Sequence, residues 1–508
     1  MNLRYYLLIF QLEAYRTLRF FKWIVSHYAP FEEREEDKEP VWTTKARLIY
    51  FFTIILFILT GLVVLCAFPW IIFVFIMLFL WLHIFLFLPL ALLFLLPYEI
   101  TNRLRVKHFI QNRVRELKKS ANLKVIGITG SYGKTSTKMV LHELLPKSLI
   151  TPKSFNTLFG IYKVVDYELN NHYRYFICEM GAYKRGDVKE FCDLVKPNIG
   201  VLTGINEQHL ERFGSIENTI KAKFEILANT IDGGIGIANL DNQLIRENLK
   251  TFDNKPRKTP FDLINRKSAP VMHVVDESTA LMQRSQTNKS RIKLIGYTTD
   301  GNTSEACHEI LAIKSWRIEN NKSVCEIAHR DKTYTLITPL IGRGHLSNIL
   351  ACIAVSLSCG EDINNILERA GKLKQIPHRL ELRSMPGLTI LDDTYSSNPS
   401  GFREALDTLS RFEGHKVLIT PGIVELGEKA LDIHQEMGTL AAKICDEIVL
   451  VGKSKNIEAL QESVLAAGYA ADKITRLPNR NAALDLLGNR AGSHQTILME
   501  NDLPDQYL

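Results

Sequence analysis

The string Gly130-Ser131-Tyr132-Gly133-Lys134-Thr135-Ser136 sets small residues, one lysine and hydroxyls at a spacing that suits a polyphosphate. Small residues let backbone N–H groups converge on the anion, the lysine reaches the outer phosphates, and the Thr135 hydroxyl is a magnesium ligand. The strict GxxxxGK[ST] pattern is not met, because Ile128 stands where its first glycine belongs. No GxGxxG follows a strand here, which disfavours a nicotinamide dinucleotide. Downstream, Glu179 closes the apolar run Tyr175-Phe176-Ile177-Cys178. A carboxylate at the C-terminal end of a strand lies where open α/β sheets place ligands, so Glu179 is a second magnesium candidate. Taken singly, His209 in a loop and Lys223 on a helix are weak signals, and residues of that kind are most often plain surface groups.

Elements must hold these groups. Residues 124–129 read as a strand and 136–145 as a helix, so the small-residue string opens a helix N-terminus, whose dipole favours an anion. Apolar runs at 175–179 and 199–203 continue a strand and helix alternation that argues for doubly wound parallel sheets. In the last part of the chain, 388–391, 416–420, 447–451 and 495–499 are the expected strands. The stretch 252–338 is polar and uneven and suggests an insertion or an extra β element.

The chain has 508 residues, enough for roughly three domains, and its 46% hydrophobic share excludes wholesale disorder. That share is unevenly spread: residues 48–98 contain no Asp, Glu, Lys or Arg. A helical span needs about 20 apolar residues, so the run reads as two spans that turn at Pro69-Trp70. Basic residues at both outer ends (Lys45, Arg47, Arg103, Arg105, Lys107) put both termini of this hairpin, and the remainder of the chain, on the cytosolic side of the cytoplasmic membrane. Residues 4–23 mix apolar and basic positions as an interfacial amphipathic helix does, although an ordinary helix packed on protein has the same pattern. Residues 31–40 read as an acidic linker. Between 103 and 119 lie seven basic residues against the single acid Glu116, which accounts for nearly all of the net charge of +7. Beside a membrane exit such a cluster meets anionic lipid headgroups, and nucleic acid is disfavoured as a partner. Eight scattered cysteines without a CxxC pair argue for reduced thiols and against a zinc site.

From residue 124 onward the chain resembles the Mur ligase family, the ATP-dependent amide ligases of peptidoglycan precursor synthesis, and most closely its D-alanyl-D-alanine-adding branch. The resemblance is carried by TGSYGKTSTK (129–138), EMGA (179–182), HLERFGS (209–215), AKFEI (222–226), NLDN (239–242), GHLSN (344–348), DDTYSSNP (392–399) and, more loosely, ELG at 425–427 with His434. It implies an α/β fold with a phosphate-loop central domain (121–375) and a Rossmann-like C-terminal domain (376–508), preceded by segments 1–46, 47–100 and 101–120 for the amphipathic helix and linker, the hairpin and the basic helix. It also implies ADP-forming amide synthesis through an acyl phosphate, with ATP and Mg²⁺ as cofactors. In that scheme Gly130, Ser131, Gly133, Lys134, Thr135 and Ser136 hold phosphates. Thr135, Glu179, His209 and Lys223 serve the metals, Lys223 as a carbamylated lysine. Asn348 faces the adenine, and Arg379 and Asp393 reach phosphate and ribose. Lys134, Lys223, His209 and Arg379 form the catalytic set, and Asn156, Tyr395 and Asn398 face substrate.

The chain also departs from the family. The hairpin and basic helix stand where a uridine-nucleotide-binding domain is usual, the YNANP string is Tyr395-Ser396-Ser397-Asn398-Pro399, the asparagine-rich loop is reduced to Asn156, and His378 replaces the glycine before Arg379. The ATP and metal positions are kept while the substrate-facing ones change. The expected substrates are therefore a muramyl peptide, UDP-linked or lipid-linked, and an amino acid or dipeptide. A membrane-anchored ligase of the poly-γ-glutamate synthase type and a non-catalytic ATP-binding scaffold are the alternatives.

Overall fold

A computed structural model of the chain describes residues 3–12, 17, 20–21, 24, 42–82, 84, 87–152, 157–206, 213–252, 254, 291–395, 397–423, 426, 430–488 and 494–501. It divides into two compact units, Met1–Lys107 and His108–Leu508.

In the first unit the helix Thr44–Ala67 is capped by the Thr43 hydroxyl, which accepts from the Ala46 N–H at 3.1 Å. At 1.5 Å per residue its 24 residues reach about 36 Å, longer than the roughly 30 Å hydrocarbon core. It ends at Phe68-Pro69, the turn expected from the sequence. The second half differs from that expectation, because it is two helices, Trp70–Leu82 and Phe87–Ser120. The 13 residues of Trp70–Leu82 reach only about 20 Å. Pro89 falls in the first turn of the second of these helices, where a missing N–H is tolerated, and Pro97 lies inside the same helix. Two helices, Thr44–Ala67 and Phe87–Ser120, are long and apolar enough to cross a membrane. They run antiparallel, with Lys45 paired to Glu99 at 2.6 Å and the rings of Phe52 and Phe94 stacked at 6.4 Å. The N-terminal helix Leu3–Leu12 buries Leu7 and Phe10 in a cluster with Ala46, Ile49, Leu88 and Ala91. Its apolar face is thus covered by protein, the alternative that an amphipathic pattern leaves open.

The second unit holds two sheets. The first comprises β1 (Lys124–Thr129), β2 (Ser148–Ile150), β3 (Tyr175–Glu179), β4 (Ile199–Leu202), β5 (Ile235–Asn239), β6 (Lys293–Thr298), β7 (Glu309–Glu319), β8 (Lys322–His329) and β9 (Lys332–Thr338), in the order β2-β3-β1-β4-β5-β6-β7-β8-β9. It is parallel as far as β7, and β7-β8-β9 then add an antiparallel edge, the extra β element suspected in the polar stretch. The second comprises β10 (Glu381–Met385), β11 (Leu388–Asp393), β12 (His415–Thr420), β13 (Glu447–Val451), β14 (Ile474–Leu477) and β15 (Gln495–Glu500), in the order β10-β11-β15-β12-β13-β14. All four strands expected from the sequence are present; β10 and β14 are additional.

The helix Arg343–Ser358 is buried on nearly every side, packed with Ile126, Ile128, Val140 and Leu144 in the core of the first sheet, so it reads as apolar around its whole circumference. From His108 onward the basic stretch packs one apolar face on this unit, while Arg115 and Lys119 stay exposed. Ile110, Val114 and Leu117 are buried, the Gln111 amide donates to the Asp193 carbonyl at 3.3 Å, and Lys118 donates to the Lys196 carbonyl. Burial, and then the Lys196 ammonium, hold the Lys118 amine down at about 8. All eight cysteines are free thiols.

Candidate active site

β1 and β3 lie side by side, with Ile128 opposite Glu179, so the loop after β1 and the carboxylate ending β3 emerge together at the C-terminal edge of the sheet. The loop is built on two glycines. Gly133 has φ +79, the left-handed region that a side chain resists, and a Cβ there would lie 2.8 Å from Asn348 Oδ1. A Cβ on Gly130 would lie 2.1 Å from the Thr203 hydroxyl. Gly133 then caps the helix Lys134–Leu144 with no side-chain bond, so the first-turn amides are left for an anion. Lys134 Nζ donates to the Gly130 carbonyl at 2.8 Å and the Ser131 carbonyl at 3.0 Å. Desolvation lowers its amine to about 8, against the Glu179 carboxylate and with the Arg379 guanidinium.

Thr135 Oγ1 lies 3.2 Å from both oxygens of Glu179, and Lys138 Nζ lies 2.9 Å from Glu179 Oε2 with both side chains buried. Lys138 is the residue that sequence reasoning passes over. Its one signal is the spacing of four from Lys134, which puts both cations on one helix face. A carboxylate, a hydroxyl and a glycine cradle under an uncapped helix fit a nucleoside triphosphate and a hard cation. Replacing Lys138 with methionine leaves the Glu179 charge buried and unpaired, and should lower unfolding free energy by about 3–5 kcal/mol in metal-free buffer. Denaturant unfolding at neutral pH checks this, and a change within about 1 kcal/mol would show that the pair carries no such weight.

Lys223 sits on the helix Ile216–Asn229, 3% exposed, with its amine 5.8 Å from the centre of the Phe213 ring. Burial, and then the Lys134 ammonium, hold that amine well below its ordinary value, with Asp187 opposing. Lys134 therefore feels the charges of Glu179 and Arg379, and Lys223 feels that of Lys134. His209, Asn156 and the Glu425 and Gly427 pair lie outside the described residues. His434 is a buried structural imidazole that accepts from the Ile423 N–H at 2.9 Å and donates to the Ala430 carbonyl at 2.6 Å.

The second sheet faces the loop across a cleft of about 410 Å³, lined from one side by Gly133, Ser136, Ser347 and Asn348 and from the other by Arg379, Asp393, Asn398 and Glu404. Asn348 accepts from the Thr137 hydroxyl at 3.1 Å, and Asn398 accepts from Asn206 Nδ2 at 2.9 Å. Tyr395 is half exposed and takes the Arg379 guanidinium 4.2 Å above its ring. Asp393 accepts from the Leu380 N–H at 3.0 Å, and burial raises its carboxyl to about 6. Glu404, which sequence reasoning passes over, is raised to about 7 by burial and then by Asp393, with Arg343 opposing. His378 and Leu380, either side of Arg379, have φ +57 and +47. A left-handed backbone costs a residue with a side chain roughly 1–2 kcal/mol, which explains why glycine is usual before this arginine.

Fold and site together define a phosphate-loop nucleotide-binding protein in which a second α/β domain supplies an arginine and a carboxylate to the cleft. Comparison with known families agrees. The Mur ligase middle domain matches residues 128–297, and the Mur ligase glutamate ligase domain matches residues 378–500. The chain belongs to the Mur ligase family, whose members are ATP-dependent, ADP-forming ligases. It is 26% identical over 368 residues to the UDP-N-acetylmuramoyl-tripeptide–D-alanyl-D-alanine ligase of Escherichia coli, covering 70% of each chain. It is 26% identical over 390 residues to the enzyme of that name from Mycobacterium leprae, covering 72% of this chain and 69% of the other, and 24% identical to that from Haemophilus influenzae, of which it covers 62%. Among solved structures, MurF from Acinetobacter baumannii superposes with a TM-score of 0.61 at 22% identity, over 79% of this chain and 77% of that one. MurF from Thermotoga maritima in complex with ADP gives 0.59 at 21% identity, over 78% and 80%.

Proposed function

We propose that this protein is a membrane-anchored ligase that uses ATP to extend the peptide stem of a peptidoglycan precursor, as the names of its relatives suggest for the chemistry and its first unit suggests for the place. The observation that carries the reading is one cleft lined by Gly133, Ser136 and Asn348 on the side of the first sheet and by Arg379 and Asp393 on the side of the second, next to a loop whose Lys134 feels the charges of Glu179 and Arg379. In this reading the precursor's carboxylate oxygen attacks the γ-phosphorus and ADP leaves. The amine of the incoming amino acid or dipeptide then attacks the acyl carbon, loses a proton, and expels phosphate with its bonding electrons. Lys134, the loop amides and Arg379 neutralise charge that builds on the transferring phosphoryl group, which is where electrostatic preorganisation has most effect. Thr135 and Glu179, with His209 and a carbamylated Lys223, would hold magnesium, which supplies further charge neutralisation. Asp393 would bind the ribose, Asn348 the adenine, and Asn156, Tyr395 and Asn398 the acyl substrate.

The two long apolar helices and the seven cations of residues 103–119 support attachment to the inner face of an anionic membrane. Protein in nanodiscs containing anionic lipid, supplied with ATP and Mg²⁺, should release phosphate only when a muramyl tripeptide and D-alanyl-D-alanine or another amine are both present. Mass spectrometry of the product, from UDP-linked against lipid-linked tripeptide, identifies the acceptor. Phosphate release without an acceptor, or none under any pairing, would sink the ligase reading.

A further inference from the structure

We infer that His345 is a positioning residue that locks Arg379 into the cleft. The inference rests on the reading of that cleft as a ligase's nucleotide site. His345 lies in the first turn of the Arg343–Ser358 helix, 5% exposed, and its Nε2 is 2.7 Å from the carbonyl oxygen of Arg379. A carbonyl only accepts, so Nε2 carries the proton and Nδ1 is bare. Nδ1 is buried and has no hydrogen-bond partner among the described residues, so the ring is oriented by its bond to Arg379 and by packing. Burial, before any other influence, brings this imidazole down to about 4, so it is neutral at physiological pH and sends no second charge toward the guanidinium.

Arg379 needs such a lock. It lies between two residues in the left-handed region, His378 at φ +57 and Leu380 at φ +47, on the segment that joins the two sheets of this unit. Backbone held in a sparsely populated region persists only where the surroundings over-determine it. Here the bonds on the second-sheet side include the Leu380 N–H to Asp393 at 3.0 Å, the Tyr395 N–H to the His378 carbonyl at 3.0 Å, the His378 N–H to Glu381 at 3.1 Å and His378 Nδ1 to Asp392 at 3.0 Å. Those bonds tie this segment to its own domain. The His345 bond ties it to the helix that carries Asn348 one turn further on, and so sets the guanidinium relative to the phosphate loop. Its loss leaves Arg379 on the same strained backbone without that reference.

The imidazole geometry supplies the test. Glutamine places an amide N–H near the position of Nε2, asparagine places one near Nδ1, and leucine offers neither. In His345→Leu and His345→Asn, kcat should fall about tenfold with the KM for the amine substrate unchanged, and His345→Gln should recover most of the loss. Hydrogen exchange of peptides covering residues 376–395 should quicken in the leucine and asparagine proteins and return toward wild type in the glutamine protein. Circular dichroism and melting midpoints confirm that each variant is folded. Wild-type kcat in His345→Leu, or a glutamine variant no better than leucine in both readouts, overturns the inference while leaving the ligase reading intact. If the wild-type protein shows no acceptor-dependent turnover, the ligase reading fails separately, and the exchange data still decide whether His345 locks this segment.

Discussion

Replacing Lys134 with alanine lowers acceptor-dependent phosphate release by about 10²- to 10³-fold, because the transferring phosphoryl group loses its fixed cation in a water-poor cleft. The protein stays folded, so the loss is one of rate. Among the described residues Lys134 bonds to the Gly130 and Ser131 carbonyls of its own loop, and its amine is held at about 8, below its ordinary 10.5. A base whose folded value is depressed binds fewer protons in the folded than in the unfolded chain between those two values. Its ammonium form therefore opposes folding below pH 8, and that opposition fades as pH rises toward 10.5. Alanine removes the opposition together with two loop hydrogen bonds, and the melting midpoint at pH 7 should lie within about 3 °C of wild type. Calorimetry beside a phosphate-release assay checks both halves. A folded Lys134→Ala protein that turns over at the wild-type rate would remove the loop from the chemistry.

Parts of this site were legible in the chain and parts were not, for reasons of distance along it. The phosphate loop could be read because its work is done by consecutive backbone amides, and two glycines and a lysine within a few residues announce that geometry. Glu179 could be read because a strand end is a local feature. Lys138 could not, since its meaning lies in a carboxylate on a different strand, and a lysine on a helix is ordinarily solvated. His345 and Glu404 were silent for the same reason: each acquires a role only when the two sheets face one cleft. His378 stood in the sequence as an unexplained departure from glycine, and its positive φ and its bond to Asp392 supply the reason and the compensation. In the first unit the charge-free run was plain, but its second half is two helices, Trp70–Leu82 and Phe87–Ser120, a division that an average over the run conceals. The basic stretch was legible as charge and not as packing, because Ile110, Val114 and Leu117 are spaced on one face among cations that dominate the count.

Lys223→Ala should lose ligation as completely as Lys134→Ala, and Lys223→Arg should be no better. An ordinary cation beside the nucleotide would be replaced tolerably by arginine, whereas a carbamate would not. Burial favours the uncharged amine: the side chain is 3% exposed, and desolvation followed by the Lys134 ammonium disfavours a second ammonium, with Asp187 opposing. A neutral amine attacks the carbon of carbon dioxide, and the nitrogen then releases a proton to solvent, leaving an anionic arm where an ammonium stood. That anion would answer the positive charge of Lys134 and give a hard cation an oxygen ligand from the helix opposite Glu179. Turnover of the wild-type protein should therefore fall in buffer stripped of carbon dioxide and return with added bicarbonate. Labelling with ¹³C-bicarbonate should give a protein-bound carbonyl resonance in the wild type that is missing from the alanine and arginine proteins. Retained activity in Lys223→Arg would assign the residue a charge and nothing more, and the metal would then have to be held by Thr135, Glu179 and His209 without it.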